Sequence, residues 1–246
     1  MKLTKILMGM PITVHIVDAV VKQKDIDEIF NYFISIDKIF STYKETSEIS
    51  RINNGSLQKD AYSNDMKKIF TLAEQTKKET NGYFDMQRDD LIDPSGLVKG
   101  WAIQQASELL KEKNLHNFFI EAGGDIQVSG LNEKGESWKV GIRNPFNRNE
   151  YVKVLVIKNK GVATSGTTIR GQHIYNPHNK EKSLTDIVSI TIVAENIYDA
   201  DRFATAAFAM GEEGINFVES HNKTEGYMID KHGIATYTSG FEEYVA

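Results

Sequence analysis

Asp201 and Thr205 stand four residues apart in the stretch from Ala200 to Gly211, whose small and apolar spacing predicts a helix. Positions i and i+4 share one helical face, so a carboxylate and a hydroxyl can point at one object. Two hard oxygen donors suit Mg²⁺ better than a soft metal. The same two residues also fit an alanine-rich core helix whose Asp and Thr only start it. A second segment, Asp93-Pro94-Ser95-Gly96-Leu97-Val98-Lys99-Gly100, leads straight into another predicted helix. Glycines at 96 and 100 permit close backbone approach. Free N–H groups at a helix start attract an anion, and Lys99 adds positive charge. The glycine spacing is not that of a Walker loop, and an ordinary loop-to-helix junction accounts for the segment equally.

Further polar groups are scattered along the chain. His173 lies in Ala163–Pro177, a piece dense in hydroxyls, and is a candidate general base near neutral pH. Arg143 ends a predicted strand and offers a guanidinium either to phosphate or to solvent. Tyr43, and Tyr83, Phe84 and Asp85 after a helix end, can wall a planar ligand or anchor their loops to the core. Glu121-Ala122-Gly123-Gly124-Asp125 is explained by a β-turn alone.

The elements that must position these groups follow from periodicity. A strand is predicted through Ile12, Val14 and Ile16, and the preceding apolar residues, broken by Gly9 and Pro11, also read as a strand. Asp25 is expected to open a helix with Glu28 as its capping partner, continuing to Phe40. A second helix runs from about Asn64 to Thr80 and stops at Asn81-Gly82. A third begins near Gly96. Strands are expected at 117–121, 125–128, 138–142, 151–157 and 186–194. The helix at 200–210, a short one near 215–220 and strands at 226–229 and 234–238 complete the chain. Helices and antiparallel-looking strands mix without a βαβ rhythm, which indicates an α+β fold in a single domain over 1–246.

Composition bounds the chemistry. The 246 residues carry a net charge of −5 and no cysteine. Thiolate metal sites, disulfides and a cysteine nucleophile are excluded. No basic tract suggests nucleic acid. No apolar run is long enough to span a bilayer as a helix, and no cleavage site follows the apolar start. A cytoplasmic protein without a membrane anchor is expected.

Taken in order, these segments resemble the family of FAD:protein FMN transferases, the ApbE family. The resemblance rests on Met8-Gly9-Met10, Ser41-Thr42-Tyr43 with Ser47-Glu48-Ile49-Ser50-Arg51-Ile52-Asn53, and Gly82-Tyr83-Phe84-Asp85. It continues through Asp93 to Gly100, Gly123-Gly124-Asp125, Ala163-Thr164-Ser165-Gly166, His173-Ile174-Tyr175-Asn176-Pro177 and Ala200-Asp201 to Ala204-Thr205-Ala206. It implies a T-fold-like domain that binds FAD and Mg²⁺, moves FMN onto a threonine or serine of a target flavoprotein, and releases AMP. It also implies that Asp201 and Thr205 hold the metal with the backbone near Gly96. Met8, Tyr43, Tyr83, Phe84, Asp85, Asp93, Lys99 and Ile174 would contact FAD, and His173 would be the base. The chain departs from the family pattern at Asn176, where aspartate is usual, at Ser95, where glycine is common, and in its short 85–93 stretch. Two alternatives share these residues: a Mg²⁺-dependent FAD pyrophosphatase with water as acceptor, and a flavin-binding protein without chemistry.

Overall fold

Alternating apolar residues Ile12, Val14 and Ile16 build strand β2 (Met10–Ile16), and β1 (Lys2–Leu7) pairs with it antiparallel from Lys2 opposite His15 to Leu7 opposite Met10. The computed structural model describes residues 1–167, 174–179 and 186–246. Helix α1 (Gln23–Phe40) follows. It starts at Gln23, not at Asp25. The Asp25 carboxylate instead reaches back to accept the Lys22 N–H at 2.8 Å, the acid's part in a capping box. Glu28 is free for an ion pair with Lys113 at 2.7 Å.

Two short or amphipathic helices come next, α2 (Glu48–Asn53) and α3 (Asn64–Glu79), each capped by a serine side chain. A small hairpin, β3 (Gln87–Arg88) and β4 (Leu91–Ile92), then leads into α4 (Ser95–Glu112). Strands β5 (Phe118–Ala122), β6 (Asp125–Ser129), β7 (Trp138–Arg143), β8 (Tyr151–Ile157), β9 (Gly161–Gly166) and β10 (Ile187–Ala194) follow. Helix α5 (Ile197–Met210), helix α6 (Gly214–Glu219) and strands β11 (Glu225–Asp230) and β12 (Ala235–Tyr237) close the fold.

The main sheet has eight strands in the order β1-β2-β5-β6-β9-β10-β11-β12, and its pairings are antiparallel. This is the expected α+β class. The helices cover one face. Ile12, Val14, Ile120, Ile190 and Ile192 of the sheet meet Phe30, Phe33, Ile103 and Phe208 of the helices there, all essentially buried. The β7–β8 hairpin covers the other face, with Trp138, Val140 and Leu155 against Val128, Val193 and Ile229. Buried on both faces, β10 reads as a nearly continuous apolar run, not as an alternating one. Each fully buried large side chain contributes roughly 1.5–3 kcal/mol. Among the described residues no helix is long and apolar enough to cross a membrane.

Two differences from the sequence expectation matter for the site. Strand β9 coincides with Gly161–Gly166, a hydroxyl-rich segment without strand periodicity; its Thr164 hydroxyl pairs with that of Thr191 on β10 at 2.8 Å. Helix α5 begins at Ile197, not at Ala200. Asn196 caps it by accepting the Asp199 N–H at 2.9 Å, and the Gln127 side chain accepts the Ile197 N–H at 2.8 Å.

Candidate active site

Where α4 and α5 cross, Gly96 and Gly100 of α4 face Thr205 and Asp201 of α5. A Cβ added at Gly100 would lie 2.6 Å from Asp201 Cβ and 2.8 Å from the Ile197 carbonyl oxygen. Such distances exclude any side chain, so the helix axes approach closely and the acid of α5 reaches the backbone of α4. Asp201 Oδ2 accepts the Gly100 N–H at 2.7 Å. Thr205 Oγ1 donates to the Gly96 carbonyl at 3.4 Å. Asp201 and Thr205 thus share one face of α5, as their i, i+4 spacing suggested, and that face meets the backbone at Gly96 and Gly100. A helix N-terminus is positive and opposes a bound cation; because α5 opens at Ile197, Asp199 occupies its first turn and Asp201 lies beyond it, where that opposition is weaker.

Lys99, one position before Gly100, extends to Asp125 at the start of β6. Its ammonium lies 2.7 Å from Asp125 Oδ2 and 3.6 Å from Asp201 Oδ1. The Asp201 carboxyl is pushed up to about 7, by burial first and by Asp125 beside it, against the opposing pull of Lys99 and the Gly100 N–H. By local spacing Asp125 only completes a turn. The Gly123–Gly124 turn before it, with φ of +60° and +98°, does require glycine. Nothing in the local spacing announces that the carboxylate after it meets a lysine from a distant helix.

Gly96, Lys99, Asp201 and Thr205 line a cleft of about 590 Å³, within the range of small-molecule sites, and Asp125 lies behind its lining. Met10, Pro11, Phe84 and Met86 give it apolar walls, and Arg88, Arg143 and Arg148 also line it. Of the residues singled out in the sequence, Tyr83, Phe84, Asp85, Asp93, Gly96, Lys99, Ile174, Asp201 and Thr205 line this cleft. Several of their polar groups also have local duties. Asp85 pairs with Lys77 at 2.8 Å and accepts the Gln87 N–H at 2.9 Å. Asp93 accepts the Ser95 N–H at 3.0 Å and so shapes the entry to α4. Phe84 is buried, its N–H held by the Thr80 hydroxyl at 3.1 Å.

Met8 and Tyr43 are not among the lining residues. Met8 sits at φ +52° in the β1–β2 turn, whose next residues, Gly9 to Pro11, do line the cleft. Tyr43 is 97% exposed on the turn between α1 and α2, and Lys44 beside it pairs with Asp37. His173 lies outside the described residues. The neighbouring segment is fastened to the 81–88 loop at two points. The His178 Nε2 hydrogen-bonds the Asn81 carbonyl at 2.9 Å, and the Tyr175 hydroxyl donates to the Gln87 carbonyl at 2.9 Å. The short 85–93 stretch thus forms the β3–β4 hairpin and shares the wall with Ile174, Tyr175 and Pro177. Asn176, where the family usually has aspartate, accepts the His178 N–H at 2.9 Å.

Among the described residues no three His, Asp or Glu side chains gather around one point. A metal here would draw on the Asp201 carboxylate, the Thr205 hydroxyl and the Gly96 carbonyl. Few protein oxygens, with substrate phosphates completing the shell, is the pattern Mg²⁺ takes. The donor set therefore fits Mg²⁺, and the buried carboxylate, raised in its pKa, has the most to gain from a cation.

Comparison with known proteins extends this picture. The model of the ApbE family matches residues 8–93 and 86–228. An FAD:protein FMN transferase of Vibrio cholerae is 28% identical over 164 residues, 63% of this chain and 48% of that one. One from Haemophilus influenzae is 29% identical over 160 residues, 60% of this chain and 46% of that one. The chain thus spans about half the length of these curated relatives in the matched region. The solved structure of the flavin transferase ApbE from Vibrio cholerae superposes with a TM-score of 0.86 at 22% identity, covering 99% of this chain and 98% of that one. That likeness shows a shared fold. With the family model covering most of its length, this chain belongs to the ApbE family.

Proposed function

We propose that the chain moves the FMN half of FAD onto a threonine or serine hydroxyl of a target flavoprotein, with release of AMP. The observation that carries this is the α4–α5 junction, where Asp201, Thr205 and the Gly96 carbonyl meet at a cleft that also carries three arginines. That pairing of a hard-oxygen cation seat with guanidinium groups suits a pyrophosphate substrate. The curated relatives' name, FAD:protein FMN transferase, supports the donor and the protein acceptor.

Asp201 and Thr205, with the Gly96 carbonyl, would hold Mg²⁺, which when bound supplies charge neutralisation on the pyrophosphate. Arg88, Arg143 and Arg148 share the remaining phosphate charge. Met10, Phe84 and Met86 give planar and apolar groups a dry wall. The acceptor oxygen bonds to the phosphorus that carries riboflavin. The bond from that phosphorus to the bridging oxygen breaks, and AMP leaves with the electron pair. The hydroxyl proton goes to a base, proposed as His173. Residues 1–246 are proposed to act as one domain, supported by a sheet that runs from β1 to β12, and to work in the cytoplasm.

The test mixes the purified protein with FAD and Mg²⁺, with and without an FMN-acceptor domain, and follows AMP and protein-bound flavin by mass spectrometry. AMP with FMN covalently on the acceptor is the expected result. AMP with free FMN in both tubes would make the protein a pyrophosphatase, and intact FAD would make it a binder. Asp201→Asn should abolish turnover. His173→Ala should retain FAD but react slowly.

A further inference from the structure

Asp201 presents two oxygens of unequal availability. Oδ2 is occupied by the Gly100 N–H at 2.7 Å. Oδ1 is the oxygen left for a cation, and it is the one Lys99 approaches, to 3.6 Å. The same ammonium lies nearer a second carboxylate, Asp125 Oδ2, at 2.7 Å. Both acids are almost fully buried, with side chains 2% and 4% exposed, so these attractions are weakly screened by solvent. Asp125 is itself held in place. It is the first residue of β6, directly after the glycine turn, and its Oδ1 accepts the Thr164 N–H from β9 at 3.3 Å.

We infer that Asp125 is a positioning residue that seats Lys99 away from Asp201 and so keeps Asp201 Oδ1 open to a divalent cation. The inference rests on the proposed metal at Asp201. An ammonium between two buried carboxylates favours the nearer one. Removing the Asp125 charge leaves Asp201 to draw Lys99 in, and the lysine then competes with the metal for the same oxygen.

The test is a Mn²⁺ titration followed by electron paramagnetic resonance, without FAD, on the wild type, Asp125→Asn, Lys99→Gln and the double variant. Asp125→Asn should weaken Mn²⁺ binding at least tenfold in the wild-type background and less than twofold when Lys99 is already glutamine. If Asp125 served only as one more negative charge, the loss would be equal in both backgrounds, and that equality overturns the inference. So does unchanged binding in Asp125→Asn. A wild-type protein that binds no Mn²⁺ overturns the metal assignment and this inference with it, whereas a wild type that binds Mn²⁺ and an Asp125→Asn variant that binds it equally well overturn this inference alone. Near-UV circular dichroism checks folding. Should Asp125→Asn lose its tertiary signal, Asp125→Ser, which removes the charge with a smaller polar group, takes its place in the same cycle.

Discussion

Gly100→Ala reverses the usual sign of a helical glycine substitution. In an exposed helix interior, alanine in place of glycine stabilises by about 1 kcal/mol. At this position the new methyl would sit 2.6 Å from Asp201 Cβ, 2.8 Å from the Ile197 carbonyl and 2.9 Å from Asp201 Oδ2. Ordinary carbon contacts lie at about 3.5–4.0 Å, so α4 and α5 must separate locally by about 1 Å. Overpacking of a close-packed interior costs roughly 1–3 kcal/mol. Set against the propensity gain, the net change is a loss of up to about 2 kcal/mol. For a chain of this size, that is a fall in melting temperature of roughly 4–8 °C. The same displacement stretches the hydrogen bond from Gly100 to Asp201 and moves Asp201 and Thr205, which share α5, away from the Gly96 carbonyl on α4. A shift of about 1 Å at a reacting centre costs on the order of 100-fold in turnover. Thermal unfolding, followed by circular dichroism, and FAD turnover in Mg²⁺ measure both effects. A variant that melts higher than the wild type and turns over normally would refute the close crossing of the two helices as the basis of the site.

The raised Asp201 carboxyl predicts a pH dependence of metal binding. A proton held up to about pH 7 competes with the cation, so Mn²⁺ affinity should fall about tenfold per pH unit below 7 and level off above 8; a flat profile from pH 5.5 to 8 would contradict the burial that causes the shift. Gln127→Ala leaves the Ile197 N–H, at the start of α5, without its 2.8 Å acceptor. A buried orphan donor costs about 1–3 kcal/mol, readable as a lower urea midpoint, and an unchanged midpoint would mean that Asn196 caps the helix unaided. Tyr43→Ala should leave both the unfolding midpoint and FAD affinity unchanged, because the ring is exposed and off the cleft. A tenfold loss of FAD affinity would show that this turn folds over the bound substrate.

Periodicity alone determined most elements here, because each apolar stripe reports one buried face. The α1, α3 and α4 stripes and the β8 run were legible, down to the Tyr151–Ile157 bounds of β8. The Asp201–Thr205 pair was legible because its i, i+4 spacing is a property of a single helix. Elements without a local stripe were not. Strand β9 is built from Gly, Val, Ala, Thr and Ser, and it is a strand because β6 and β10 pair with it on either side. The true start of α5 depends on Gln127, a side chain from another strand. Asp125 shows the same limit most sharply: as sequence it completes a glycine turn, and only the packing of β6 against α4 and α5 turns it into the partner of Lys99. The sequence therefore specified which residue types were available for chemistry and which faces they shared. Tertiary structure decided which of them meet, because a contact between distant elements depends on helix approach and sheet order, and neither is written in the spacing of any one segment.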